Sequence, residues 1–167
     1  MNRTRWIWVL GVAVILLFNG LIITQEANRA RLDSVYLELQ PADPRSMMQG
    51  DYMRLGYSVT DQIEGALGSD STHGRAVLRI DDQKIAHFER IYDGGELAGN
   101  EQLLEWTRPD DVQLEVETFM FQEGHADAYQ DAEYAEVKLT EDGAMILVDL
   151  VDADLEPITP TETHKRK

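Results

Sequence analysis

Residues 136–150 read EVKLTEDGAMILVDL. Two apolar–polar runs, 136–139 and 144–150, flank Glu141-Asp142-Gly143. An Asp-Gly pair between such runs is the strongest short-range signal for a β-hairpin, because glycine takes positive φ without steric cost. A ribbon of this kind must bury its apolar face against other elements. The rest of the chain supplies them.

Upstream, Val35, Leu37 and Leu39 alternate with Tyr36 and Glu38, the pattern of a half-buried strand, and Pro41 and Pro44 end it. In 52–59, Met53, Leu55, Tyr57 and Val59 share one face, and Tyr52, Arg54 and Ser58 the other. Residues 76–80 and 84–91 flank Asp81-Asp82-Gln83 as a second hairpin, 93–99 is a glycine-rich turn, and 103–107 reads as a strand. The pattern over 112–121 predicts a longer strand with Val112, Leu114 and Val116 inward. Its end, 118–121, is apolar on both faces, as in a central strand. Trp106, Phe119, Met120 and Phe121 are assigned to the core. Short helical turns are predicted at 61–67, with Asp61 and Glu64 spaced as a capping pair, and at 126–133. Residues 68–74 (GSDSTHG) are a loop by composition. The expected fold is mainly β, an antiparallel sheet or sandwich with one or two short helices, preceded by one transmembrane α-helix.

That helix is read from 6–24, WIWVLGVAVILLFNGLIIT, which carries no charge and one amide, Asn19. At about 1.5 Å per residue it would cross about 28 Å, close to the hydrocarbon thickness of a bilayer. Trp6 and Trp8 occupy the interfacial positions that aromatic side chains favour. A cleaved signal peptide is the rival reading, but Gln25 and Asn28 fall where a small residue is wanted ahead of a cleavage site at Ala27 or Ala30. Arg3 and Arg5 before the span balance Arg29 and Arg31 after it, so orientation follows from the short amino tail, which stays in the cytoplasm. The expected division is a cytoplasmic N-terminus (1–5), an anchor (6–24), a linker (25–34), an extracytoplasmic β domain (35–156) and a disordered tail (157–167). The expected location is a bacterial inner membrane, spanned once, with the C-terminal domain in the periplasm.

The chain has 31 acidic and 15 basic residues, a formal net charge of −16 that repels phosphate backbones and anionic headgroups. Nucleic acid is therefore not an expected partner, and the domain is expected to stand off the bilayer. The absence of cysteine removes disulfides, thiolate metal sites and cysteine nucleophiles together.

The string Gly50-Asp51-Tyr52-Met53-Arg54-Leu55-Gly56-Tyr57 resembles the signature of the bacterial GDYXXLXY protein family, with Gly50, Asp51, Tyr52, Leu55 and Tyr57 as its fixed letters. Asp43-Pro44-Arg45, Phe121-Gln122-Glu123-Gly124 and Ala132-Glu133-Tyr134 resemble further segments of that family, and the likeness covers most of 35–158. The resemblance implies a short anchored protein with an extracytoplasmic domain, beside a multi-pass membrane protein. It implies no catalytic role for any motif residue. Read from the residues alone, Gly50 permits a turn into a strand, the Asp51 carboxylate can close that turn, and Leu55 and Tyr57 are buried. Asp51, Tyr52 and Arg54 can then face a partner.

Sites for chemistry are sparse. Ser46-Met47 before Gly50-Asp51 also resembles bacterial type I signal peptidases, in which a serine is activated by a buried lysine, here Lys84. The proline that normally follows that serine is missing. His125 near Glu123 and Asp127 is the one ligand-like cluster, next to Gly124, and zinc there needs ligands from elsewhere. Asp81-Asp82, Asp110-Asp111 and 149–154 are acidic turns without an EF-hand loop. No cofactor, metal site or catalytic residue is assigned. The expected function is an anchored accessory domain that binds another envelope protein, an integral membrane neighbour. A tethered Ser/Lys hydrolase and a ligand- or calcium-binding sensor domain are the alternatives.

Overall fold

A computed structural model describes residues 10–11, 14–20, 32–40, 52–68, 71–108, 111–121 and 126–159. The chain divides into two compact units, Met1–Asp33 and Ser34–Lys167. In the first, residues 10–11 and 14–20 are helical, with Leu10 and Ile15 to Phe18 each more than half exposed. The Asn19 side chain turns back and donates to the Ile15 carbonyl at 2.8 Å, so its polar group is satisfied within its own helix. Among the described residues no helix is long and apolar enough to cross a membrane. The ends of the 6–24 segment, including Trp6 and Trp8, lie outside the described residues.

The second unit is mainly antiparallel β. Its strands are β1 (Ser34–Glu38), β2 (Tyr52–Arg54), β3 (His73–Ile80), β4 (Ala86–Ile91), β5 (Glu101–Thr107), β6 (Thr118–Met120), β7 (Tyr134–Leu139) and β8 (Met145–Val151). They form one three-stranded sheet in the order β1-β7-β8, another in the order β4-β3-β5, and the two-stranded ribbon β2-β6. Tyr36 and Ile85 form a parallel bridge between the larger sheets, and the Glu105 amide donates to the Gly143 carbonyl at 2.8 Å. An α-helix, Ser58–Ala66, packs against β4 and β1 through Val59 and Ile63, four apart and both buried.

Both expected hairpins form, β3-β4 and β7-β8. Gly143 has φ +96°, and a Cβ there would lie 3.1 Å from the Glu105 amide, so conformation and space both select glycine. In the other turn the Asp81 carboxylate accepts the amides of Gln83 and Ile85, while Lys84 takes φ +64°. Each hairpin carries a bulge. Glu89 is extra in β4 and Val148 in β8, which turns Val148 outward at 46% exposure.

Several expectations are corrected. The 68–74 loop is shorter, because His73 and Gly74 belong to β3 and pair with Thr107 and Trp106. Gly74 is there for contact: a Cβ would come within 2.8 Å of the Trp106 ring. The 52–59 strand stops at Arg54, and the helix starts at Ser58, not 61. No side chain caps that helix. Thr60 sends both its amide and its hydroxyl to the Tyr57 carbonyl. Asp61 instead accepts from Gln40, and Glu64 from Arg108 and the Val112 amide, so the supposed capping pair ties the helix to two other segments.

The 112–121 strand shrinks to Thr118–Met120. Val112 and Leu114 are buried, but on irregular backbone whose ladder contact is one bridge, Gln113 to Thr107. Nor is its end central: among the described residues β6 pairs with β2 alone, and Met120, assigned to the core, is 79% exposed. The domain also runs past 156. Pro157 bridges Val151, and the Ile158 amide donates to Leu150 across a turn built on the Asp152 carboxylate. The expected tail is therefore ordered to residue 159, and 160–167 lie outside the described residues.

Candidate surface on the motif ribbon

The motif divides at the pleat of β2. Successive side chains point to opposite faces, so Met53 and Leu55 turn inward while Tyr52 and Arg54 turn outward. Met53 and Leu55 are 5% and 4% exposed, and Tyr52 is 45% exposed. Tyr57 is buried, and its hydroxyl donates to the Val116 carbonyl at 2.7 Å. The Leu55 amide donates to the Glu117 carbonyl at 2.8 Å. The inner half of the motif thus clamps the segment that leads into β6. Burial, reinforced by the nearby Glu117 carboxylate, pushes the Tyr57 phenol well above its ordinary pKa. Tyr57 stays a neutral hydrogen-bond donor across the physiological range.

The clamp fixes the ribbon register: Tyr52 opposite Met120, Met53 opposite Phe119, Arg54 opposite Thr118. On the inner face Phe119 meets Tyr129 edge-on at 5.0 Å between ring centroids, and Phe121 lies 5.5 Å from the same ring. On the outer face Tyr52 and Met120 stand side by side and exposed, with Arg54 beside them. Met120 is the member that sequence reasoning missed, and only its pairing with Tyr52 distinguishes it from a core residue.

Beside β2 opens a groove of about 580 Å³, walled by the end of β1, by β2 with Gly56, and by residues 129–133. Tyr129 forms part of its floor, and Glu38, Asp131 and Glu133 are exposed along it. Neither the groove nor its acidic rim is legible locally, since its walls come from three distant segments.

Of the motif letters, Gly50 and Asp51 lie outside the described residues, as do Glu123, Gly124 and Ser46. His125 lies there too. Lys84 is exposed in its turn between β3 and β4, at φ +64°. His87 reaches the Asp81 carboxylate at 2.9 Å, and that bond, with the Ile85 and Gln83 amides, holds Asp81 below the usual carboxylate range. It braces a turn. Among the described residues no group of three or more histidine, aspartate or glutamate side chains is placed to hold a metal ion.

The model of the GDYXXLXY protein family matches residues 14–150 of the chain. No curated protein and no solved structure matches it.

Proposed function

The chain belongs to the GDYXXLXY protein family, and from that premise we propose that it is a membrane-anchored accessory protein whose β domain binds an integral membrane neighbour on the extracytoplasmic side. The observation that carries this reading is the exposed pair Tyr52 and Met120 on a ribbon whose inner face is packed. Tyrosine, methionine and arginine are the side chains enriched where proteins meet, and Arg54 completes that set. A fold that needed β6 only for its core would have no use for a methionine 79% exposed at its end. Anchoring is supported by the uncharged 6–24 stretch and by the exposed apolar side chains of its described helical part.

The test is site-specific photo-crosslinking of the full chain in its native membranes. A photoreactive phenylalanine analogue replaces Met120 in one preparation and Val148 in another. Val148 is also exposed, at 46%, but belongs to the β8 bulge. The expected result is one dominant membrane-protein adduct from position 120 and none from position 148. Equal labelling from both positions, or no adduct from 120, would sink the proposal.

A further inference from the structure

We infer that the groove beside β2 receives an extended, lysine- or arginine-bearing segment of the partner as an added β-strand; this rests on reading the domain as a partner-binding module. The first observation is backbone direction. In an antiparallel ladder, alternate residues turn their N–H and C=O toward the same neighbour. Leu55 donates to Glu117, so Met53 and Leu55 face β6, while Tyr52, Arg54 and Gly56 present their backbone groups to the other edge. At Gly56 that edge is closed, because the Gln40 amide donates to the Gly56 carbonyl at 2.8 Å. At Arg54 no such bond is present among the described residues, where Arg54 pairs only with Thr118 of β6.

The second observation is the lane itself. The end of β1 runs between two neighbours, with Leu39 bridging Tyr57 on one side and donating to the Glu133 carbonyl on the other. Past Gln40 the same lane continues as the groove, between Arg54 and residues 129–133. It has the geometry of a strand position with a hydrogen-bonding edge already exposed.

The third observation is charge. Glu38, Asp131 and Glu133 line the lane, and none of them joins an ion pair among the described residues. The Arg54 side chain points away with Tyr52, on the outer face. A cationic segment is therefore favoured, and a second copy is opposed by a net charge of −16 on each chain.

The experiment uses the full chain in detergent with two acetylated heptapeptides. One alternates lysine and threonine about a central valine; the other has glutamate at each lysine position. Binding and Arg54 amide exchange are followed by NMR. The lysine peptide is expected to bind at least tenfold tighter than the glutamate peptide and to slow Arg54 amide exchange at least tenfold. Arg54→Ala, which keeps the amide, sets the reference for loss of the side chain alone. Arg54→Pro removes the edge donor without touching a bond to β6 and weakens binding at least tenfold. If the proline variant does not fold, amide exchange in the native chain decides alone. Equal binding of the two peptides, or an Arg54 amide unaffected by either, overturns the proposal. So does an Arg54 amide already protected in the free chain, because the chain then fills its own lane. Should the position-120 adduct form while the peptides fail, strand addition falls and the accessory reading stands; loss of the adduct removes both.

Discussion

β3 and β6 are both apolar runs, yet they end up in opposite circumstances. Ala76, Val77 and Leu78 of β3 are sealed from solvent on both faces of the strand, whereas Met120 at the end of β6 is 79% exposed. The difference lies in their neighbours. β3 has a strand on each edge, β4 and β5, while among the described residues β6 has β2 alone. Burial follows from how many edges and faces are covered, not from how apolar a run is. A covered strand contributes to stability. A strand held in place and left half uncovered is available for contact.

The sharpest way to break this comparison is to remove a side chain from each region. Leu78→Ala empties a site with no access to solvent and is expected to cost about 2–5 kcal/mol in urea unfolding, the range for truncating a buried leucine. A loss below about 1 kcal/mol would mean that β3 is not the sealed element described here.

Tyr57→Phe sharpens it at the join of the two regions. The variant keeps the buried ring but deletes the donor to the Val116 carbonyl, leaving that acceptor without its partner. The expected cost is about 1–2 kcal/mol in the same measurement. Amide exchange should quicken in 116–120 more than in β3, because the clamp acts on the segment entering β6. Uniform quickening would show that Tyr57 supports the whole fold rather than the ribbon.

The same contrast explains what could be read from the chain. Both hairpins were legible because their turns carry local chemistry: Gly143 at positive φ, and the Asp81 carboxylate on two amides. The inward positions Val35, Leu37, Met53, Leu55 and Tyr57 were legible from period two alone. The ends of elements were not. Gly74 looks like loop until Trp106 is seen against it, and Ser58 starts a helix with no capping side chain to announce it. Met120 could not be placed, since exposure at 118–120 depends on which strand β6 meets and on which face of the ribbon turns outward. The groove was invisible for the same reason. Glu38, Arg54 and Glu133 become neighbours only through the β1 lane, and no spacing along the chain records that.

The most direct test of the division between a sealed core and a presented ribbon is the double variant Tyr52→Ser/Met120→Ser in the full chain. It is assayed for its melting midpoint and for recovery of the position-120 partner from native membranes. Both side chains face outward, so the midpoint is expected to stay within about 2 °C of the parent. Partner recovery is expected to fall at least tenfold, as when central anchors of an interface are removed. A midpoint lowered as far as in Leu78→Ala, or a partner recovered undiminished, would contradict it.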